Sequence, residues 1–283
     1  MKVLVTGSGG MVGHALVQYC ERLGDEVAAY DHERLAIEDS DAVRETLARE
    51  QPETVINCAA WTDVDGCERD PQAASDANAR GPENLASGSR LVGASFVHIS
   101  TDFVFDGTKE GFYTQRDDPN PLSHYGQTKL DGERRAQNAS ARTIIVRSGW
   151  IFGPGGKNFL SRVVELTRSG QRLKAIRDAY GTPTSARDLA ARLRELAELD
   201  LPGIYHVVNE GEGASFEEFA RSALDIAGLD ASVLQSASMD ALQRPAPRPR
   251  NSRLRCLLSN AIGLKPLPCW QDALRDFITE KAT

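Results

Sequence analysis

The sequence has no apolar run near the roughly 20 residues that a membrane-spanning helix needs. Its first ten residues, MKVLVTGSGG, show no charged segment followed by an apolar stretch and a cleavage site, so we expect no signal peptide. A basic excess is also missing, because 33 Lys and Arg face 40 Asp and Glu, for a net charge of −7. Nucleic acids and anionic membranes bind basic surfaces, so we expect neither as a partner.

Paired cysteines and metal-binding patterns are missing as well. The five cysteines are scattered, and no two have the CxxC spacing of a zinc or redox site. We expect free thiols in a reducing cytoplasm and no metal site. The five histidines, His14, His32, His98, His124 and His206, show no metal-ligand spacing either, and we expect no chemistry from them.

The first half of the 283 residues alternates short apolar runs with helical patterns. Runs such as VLV and TVIN lack the polar–apolar alternation of half-exposed strands, which indicates strands that are buried on both faces. Strands and helices in this order, joined by right-handed crossovers, predict an α/β fold with a Rossmann-type doubly wound parallel sheet. The alternation becomes irregular after Arg147, which predicts a smaller C-terminal lobe.

The domain division follows this change of pattern. We place the main domain at residues 1–150, joined by about 186–208, where a helix and one more strand extend the main sheet. Residues 151–185 and 209–283 then form the smaller lobe. This lobe includes a Pro- and Arg-rich loop at 244–255.

Glycines recur at Gly7, Gly10 and Gly13, directly after the first predicted strand and at the start of the first predicted helix. Glycine lets a backbone approach a pyrophosphate closely, and a helix N-terminus offers free N–H groups with partial positive charge. At this place in the chain, the GxxGxxG spacing indicates a dinucleotide-binding turn. A plain tight turn is the alternative.

Asp31 ends the second predicted strand, where a carboxylate can bond the 2′-OH of the adenosine ribose and repel a 2′-phosphate. This favours NADH, with a solvated turn carboxylate as the alternative. Arg34 is close enough in sequence to pair with the phosphate of NADPH. The expected cofactor is therefore NADH or NADPH.

Tyr125 and Lys129 stand four residues apart in YGQTK, so both lie on one face of a predicted helix. An ammonium beside a phenol lowers the phenol pKa from about 10, which makes tyrosine a usable proton donor. Such pairs also decorate ordinary helix surfaces. Here, however, Thr101 ends a predicted strand, where a hydroxyl can bond the carbonyl oxygen that Tyr125 protonates.

Three further blocks carry a family resemblance together with the glycine turn: STDFVFDG at 100–107, YGQTK at 125–129 and RSGWIFGPGGKNF at 147–159. The chain resembles the extended short-chain dehydrogenases/reductases and, more narrowly, the dTDP-4-dehydrorhamnose reductase family. NCAAWTDVD at 57–65, DAYGTPT at 178–184 and RPRNSRL at 248–254 are also similar to stretches of that family. The resemblance thus runs nearly end to end.

This resemblance implies an NAD(P)H-dependent reductase that delivers hydride to C4 of a dTDP-4-keto-6-deoxy sugar. The favoured substrate is dTDP-4-dehydro-L-rhamnose, which would give dTDP-L-rhamnose. The implied catalytic residues are Thr101, which positions the oxygen, Tyr125, which protonates it, and Lys129, which holds the cofactor ribose and tunes Tyr125.

The resemblance also implies an NAD(P)-binding Rossmann domain, a smaller C-terminal substrate-binding lobe and two sets of binding residues. Those for the cofactor are Gly7, Gly10, Met11, Val12, Gly13, Asp31, Ile37, Ala59, Ala60, Tyr125 and Lys129. Those for the substrate are Thr62, Val64, Phe103, Trp150, Asn158, Arg248 and Arg253. An aromatic ring suits the apolar face of a sugar and a guanidinium suits a diphosphate, with core packing and a solvated basic loop as the respective alternatives.

Four positions depart from the family pattern. Phe103 replaces a tyrosine, which leaves the identity of the sugar open. Ala36 replaces an acid near the adenine, and Ala179 replaces a glutamine. Ala15 stands where some members bind magnesium between subunits through a glutamate, so we expect no such metal.

Two other functions stay open at this point. One is the reduction of a dTDP-4-keto-6-deoxyhexose in another deoxysugar pathway. The other is a non-catalytic, dinucleotide-binding regulatory subunit resembling that of methionine adenosyltransferase, which also keeps a YxxxK pair. The WIFGPGGKNF stretch at 150–159 favours the reductase, and a homodimer is compatible with the sequence.

Overall fold

The computed structural model describes residues 1–280. Its strands are β1 (Lys2–Thr6), β2 (Glu26–Tyr30), β3 (Thr54–Asn57), β4 (Ser95–Thr101), β5 (Thr143–Ser148), β6 (Ile151–Phe152), β7 (Leu173–Ile176), β8 (Tyr180–Gly181), β9 (Thr184–Ser185), β10 (Gly203–His206), β11 (Ala214–Ser215) and β12 (Leu234–Ala237). Its α-helices are α1 (Met11–Arg22), α2 (Ser40–Glu50), α3 (Val64–Arg69), α4 (Pro71–Ser75), α5 (Gly81–Leu91), α6 (His124–Ala139), α7 (Phe159–Arg168), α8 (Ala186–Leu199), α9 (Phe216–Ile226) and α10 (Trp270–Glu280).

Six strands form one parallel sheet in the order β10-β5-β4-β3-β1-β2. Strand β1 lies between β2 and β3, so the chain first runs from β1 to β2 on one side and then crosses back to β3 on the other side. In open α/β sheets, ligands bind beyond the carboxyl ends of the strands at such a point. The sheet confirms the predicted α/β class and places the glycine turn, which follows β1, at this position.

Alternate residues of each strand pack on opposite faces of the sheet. Val3 and Val5 are buried against α1 and α8, whereas Leu4 is buried against α2 and α5 on the other face. Both faces of the sheet are therefore covered. This is why the strands are continuous apolar runs rather than alternating ones.

A second apolar cluster lies beyond residue 150, where α7, α9 and α10 pack together. Phe152, Phe219 and Trp270 are among its buried side chains. Three two-stranded pairs, β6 with β9, β7 with β12 and β8 with β11, belong to this half of the chain. The predicted division into two domains, at 1–150 with 186–208 and at 151–185 with 209–283, stays a prediction. Residues 281–283 of the second domain lie outside the described residues.

The helical stretch from α4 to α5 contains a π-helical turn at Asp76–Arg80. Pro82 follows at the start of α5 and has no N–H to bond the carbonyl four residues earlier. That carbonyl, of Asn78, approaches α6 so closely that a Cβ on Gly132 would stand 2.1 Å from it. The Asn78 amide bonds the Trp61 backbone at 2.9 and 3.1 Å, so the turn links α6 to the loop before α3.

Candidate active site

The turn between β1 and α1 leaves room for a phosphate group. Gly7 has a φ of +67°, and a Cβ there would come within 2.5 Å of the Ala59 backbone nitrogen. A Cβ on Gly13 would stand 2.2 Å from the Gly7 carbonyl oxygen. Helix α1 begins after Gly10 without a side-chain cap, so the N–H groups of its first turn are free to bind an anion. These features fit the pyrophosphate of a dinucleotide.

A cavity of about 890 Å³ extends from this turn along the carboxyl ends of the sheet strands. The predicted residues that line it are Gly10, Met11, Val12, Gly13, Ala60, Thr62, Val64, Thr101, Phe103, Tyr125, Lys129, Trp150, Asn158 and Arg248. The predicted residues outside its lining are Gly7, Asp31, Ile37, Ala59 and Arg253. The cavity volume lies near the upper end of the range for ligand sites, about 300–1,000 Å³.

The three predicted catalytic residues come from two neighbouring elements. Thr101 is the last residue of β4, while Tyr125 and Lys129 lie one turn apart near the start of α6. Ser123 caps that helix by accepting a hydrogen bond from the Gly126 N–H at 3.2 Å. All three predicted catalytic residues are buried and line the cavity.

The predicted lowering of the Tyr125 pKa by Lys129 is wrong for this structure. Burial raises the pKa of Tyr125, hydrogen bonding to Thr101 opposes that rise, and the Asp102 carboxylate adds to it. Lys129 has no comparable effect, because its Nζ donates to the Ile99 carbonyl at 2.7 Å and lies 3.4 Å from His98 Nε2. Burial lowers the pKa of Lys129 itself to about 8.

Several buried polar atoms in the cavity wall have no partner among the described residues. They are the hydroxyls of Ser100 and Ser148 and the Oδ2 atom of Asp102. Burial raises the pKa of Asp102 to about 6, while Thr101 donates to its other oxygen at 3.0 Å. Buried polar groups are normally satisfied, so these three fit the polar groups of a bound ligand.

Asp31 lies beside the glycine turn at the end of β2, since a Cβ on Gly9 would stand 3.7 Å from the Asp31 Cβ. The Asp31 carboxylate accepts from the Arg34 N–H at 3.0 Å, and the Arg34 guanidinium packs over Tyr30 at 4.8 Å. Asp31 and Arg34 therefore lie next to each other, directly after β2. Ile37, by contrast, is buried in the core against the sheet.

An aromatic wall faces the cavity on the side of the second cluster. Trp150 has a left-handed backbone with φ of +52°, a conformation that is uncommon for non-glycine residues. Its ring stacks on Phe216 with centroids 3.9 Å apart, and Phe159 meets Phe216 edge-on at 6.1 Å. Phe216 and Phe159 also line the cavity but were not predicted. Phe216 lies at the start of α9, about 65 residues after Trp150, whereas Phe159 ends the RSGWIFGPGGKNF block that carries the resemblance.

The remaining predicted substrate residues differ in whether their side chains already contact other protein groups. Phe103 packs edge-on against Tyr125 with centroids 5.9 Å apart. The Asn158 amide caps α7 by accepting from the Ser161 N–H at 3.0 Å and also donates to the Ile151 carbonyl at 2.8 Å. Its polar atoms therefore already have partners. Thr62 and Val64 lie on the loop and helix that the Asn78 amide holds in place.

The predicted arginines of the loop are already bonded to other protein groups. Arg248 makes a two-pronged ion pair with Asp65 at 3.0 and 2.9 Å, which lowers the pKa of Asp65. Arg253 lies outside the cavity lining and bonds Asn251. Arg250 pairs with Asp178 and Asp240.

Arg244 is the arginine that sequence reasoning missed. It lines the cavity and makes no ion pair or hydrogen bond with any residue in 1–280. The four other arginines of the loop are engaged with protein groups, since Arg255 also pairs with Glu212 at 3.8 Å. Arg244 is therefore the loop guanidinium that is available to an anionic ligand. No local sequence signal singles it out, because its availability depends on which acids pair with its neighbours.

Within residues 1–280, no group of three or more His, Cys, Asp and Glu side chains is arranged to hold a metal ion. No helix in that part of the chain is long and apolar enough to cross a membrane.

Comparison with known proteins identifies the family. The model of the family described as RmlD substrate binding domain matches residues 1–283. A dTDP-4-dehydrorhamnose reductase from Streptomyces griseus is 38% identical over 279 residues, 96% of this chain and 91% of that protein. A probable dTDP-4,6-dihydroxy-2-methyloxan-3-one 4-ketoreductase from Streptomyces antibioticus is 35% identical over 278 residues, 98% and 94% of the two chains.

A solved structure extends the similarity to the whole fold. The dTDP-4-dehydrorhamnose reductase of Bacillus anthracis in complex with NADP has a TM-score of 0.94 and 31% identity, and the match covers 99% of this chain and 100% of that chain. The chain therefore belongs to the RmlD substrate binding domain family, which confirms its resemblance to the dTDP-4-dehydrorhamnose reductases.

Proposed function

We propose that this protein reduces the C4 keto group of a dTDP-4-keto-6-deoxy sugar with NADH or NADPH. The favoured substrate is dTDP-4-dehydro-L-rhamnose. One observation carries the proposal: a single cavity joins the glycine turn, the set Thr101, Tyr125 and Lys129, and the wall around Trp150. The activity named for the Streptomyces griseus relative supports the choice of substrate.

The cofactor would lie at the glycine turn and along the carboxyl ends of the strands. The backbone of Gly10, Met11 and Gly13 would hold its pyrophosphate, and Asp31 or Arg34 would contact the adenosine ribose. When bound, a reduced nicotinamide supplies the hydride. The orphaned hydroxyls of Ser100 and Ser148 are available to its polar groups.

Tyr125 would donate the proton that the reduction requires. The raised pKa keeps its phenol protonated, so the proton is in place when a strongly basic alkoxide forms at C4. Thr101 would turn its hydroxyl from Asp102 toward the same oxygen and fix its position. Lys129 would contact the cofactor ribose and return a proton to Tyr125 before the next turnover.

The nucleotide part of the substrate would be held away from the reacting carbon. The rings of Trp150 and Phe216 offer a flat apolar surface to a sugar or base. The free guanidinium of Arg244 would take the diphosphate, in place of the predicted Arg248 and Arg253, because an unpaired arginine need not break an existing ion pair. A cytoplasmic location and a homodimer are further parts of this proposal.

The test is the consumption of NADH or NADPH with dTDP-4-keto-6-deoxy-D-glucose, with and without a 3,5-epimerase that supplies the epimerised ketosugar. We expect turnover that depends on the epimerase. Tyr125→Phe should lower kcat by about 10²–10⁴-fold while cofactor affinity stays nearly unchanged. Wild-type turnover in that variant would contradict the role of Tyr125, and no turnover with either sugar would favour the regulatory-subunit alternative.

A second candidate is the reduction of a different dTDP-4-keto-6-deoxyhexose. Phe103 favours it, because it packs against Tyr125 and removes a hydroxyl that the family resemblance predicts near the sugar. The ketoreductase activity named for the Streptomyces antibioticus relative is of this kind. Turnover of the ketosugar without the epimerase would favour this candidate.

A further inference from the structure

A row of buried polar side chains leads away from Lys129 behind the cavity wall. Lys129 Nζ lies 3.4 Å from His98 Nε2, and His98 Nδ1 lies 3.0 Å from Asn57 Nδ2. Thr6 ends the row by donating its hydroxyl to Asn57 Oδ1 at 2.6 Å. His98 and Asn57 are fully buried. The contact departs from the expectation that no histidine bears on the chemistry.

The backbone fixes the orientation of the Asn57 amide. The Ala59 N–H lies 3.0 Å from Asn57 Oδ1, and a backbone N–H can only donate, so the atom that it meets must be the amide oxygen. The other end of the amide is then the NH₂ group, which donates to His98 Nδ1. That nitrogen therefore carries the lone pair, and the proton of neutral His98 is on Nε2.

The Nε2–H group of His98 consequently faces the Lys129 amine. Burial and the nearby Lys129 hold the pKa of His98 well below its usual range, so His98 stays neutral. Lys129 already donates one N–H to the Ile99 carbonyl. An ammonium has no lone pair for a second donor, whereas a neutral amine has one that can accept from His98 Nε2.

We propose that Asn57 and His98 are positioning residues that present a hydrogen-bond donor to Lys129 and thereby favour its neutral amine. The inference rests on the proposed function, in which Lys129 returns a proton to Tyr125. In that step an N–H bond of the Lys129 ammonium breaks, the O–H bond of Tyr125 forms again, and the neutral amine remains. Water in the open cavity then supplies the next proton to Lys129.

Other groups around Lys129 act in the opposite direction. Glu133, one turn further along α6, raises the pKa of Lys129, and so does the Cys58 thiol at the end of β3. Burial outweighs both. The donor from His98 acts together with burial, because each disfavours the charged form of the amine.

The hydrogen position on His98 can be measured directly by NMR of ligand-free protein labelled with ¹⁵N-histidine. His206 is an internal reference, because its Nδ1 lies 3.2 and 3.1 Å from the carbonyl oxygens of Tyr113 and Arg255, so that nitrogen must carry its proton. We expect opposite tautomers, Nε2–H for His98 and Nδ1–H for His206, with signals assigned through His98→Gln and His206→Gln. A protonated Nδ1 on His98 at neutral pH would overturn the proposal.

Asn57→Asp tests the link to Lys129. Its carboxylate still accepts from Thr6 and Ala59, but it replaces the NH₂ donor, so the His98 proton moves to Nδ1 and Nε2 becomes an acceptor. In protein labelled with ¹³C-lysine, the titration midpoint of Lys129, assigned through Lys129→Met, should rise by about one pH unit or more. The double variant Asn57→Asp/His98→Phe keeps the new charge without the imidazole, so its shift should be clearly smaller.

Equal shifts in the single and double variants would mean that charge alone acts on Lys129, and this would overturn the proposal. The wild-type histidine spectrum decides the tautomer even if the variants fail to fold. None of these spectra needs turnover, so their outcome is independent of the reductase assay. Opposite tautomers without any reductase activity would support the arrangement at Lys129 and contradict the proposed function instead.

Discussion

A buried ion pair holds the helix that carries Tyr125 and Lys129 against the sheet. Arg147 at the end of β5 meets Glu133 of α6 through bonds of 2.9 and 2.6 Å, and the two side chains are only 4% and 2% exposed. Removing one partner of such a pair leaves an unpaired buried charge. We therefore predict that Glu133→Gln destabilises the protein far more than the loss of a surface ion pair does.

The expected size follows from the burial. Breaking a buried pair costs about 3–5 kcal/mol, and the glutamine oxygen can still accept one hydrogen bond, so we take the lower end, about 3 kcal/mol. For a chain of this size, each kcal/mol shifts Tm by about 2–4 °C. The melting temperature should therefore fall by roughly 6–12 °C, as measured by circular dichroism, with urea unfolding as a second measurement.

Asp131→Asn is the matched control on the same helix. Asp131 pairs with Arg135 one turn further along, but the two side chains are 47% and 43% exposed. A pair of this kind contributes about 0.3–0.5 kcal/mol, so Tm should change by no more than about 2 °C. Equal melting temperatures for Glu133→Gln and Asp131→Asn would refute the reasoning from burial.

Three further predictions follow from single side chains. Arg244→Ala should raise KM for the dTDP-sugar by about 5–30-fold, or about 1–2 kcal/mol, with kcat nearly unchanged. Arg250→Ala should change KM by less than about twofold, because its guanidinium is already paired. Equal effects of the two variants in steady-state kinetics would contradict this assignment. Asp31→Ala should shift the ratio of the kcat/KM values for NADPH and NADH toward NADPH by about 1–2 kcal/mol, and Arg34→Ala should shift this ratio toward NADH. An unchanged ratio in both variants would place the adenosine ribose elsewhere. The Arg194 guanidinium lowers the pKa of buried Asp25 to about 2, so the stability from this pair is complete above about pH 4 and is lost as the pH falls toward 2. In urea unfolding, Asp25→Asn should remove this part of the acid sensitivity. An unchanged pH dependence of unfolding would show that other carboxylates cause the acid sensitivity.

The main sheet could be predicted because its signals are local. Strands buried on both faces must be continuously apolar, and only glycine tolerates the close contacts of Gly7 and Gly13. The spacing of Tyr125 and Lys129 likewise places both on one helix face. These properties depend on a few neighbouring residues, so the sequence alone reveals them.

The parts that could not be predicted depend on residues far apart in the chain. Arg248 is engaged and Arg244 is free only because Asp65, some 180 residues earlier, pairs with the former. The Tyr125 pKa rises because folding buries the phenol while Lys129 bonds β4 instead. A spacing rule gives the distance between two side chains on a helix, but it does not give the solvent exposure or the competing partners that decide their chemistry.

In the proposed function, this chain transfers hydride from a nicotinamide to C4 of a dTDP-bound ketosugar. The most direct measurement uses NADH or NADPH deuterated at the transferred position of the nicotinamide, together with dTDP-4-keto-6-deoxy-D-glucose and the 3,5-epimerase. We predict a dTDP-6-deoxy sugar that carries one deuterium at C4, detected by mass spectrometry and NMR, and no such product from Tyr125→Phe at comparable times. Consumption of the cofactor without deuterium at C4, or an unreduced ketosugar after prolonged incubation with active epimerase, would contradict the account.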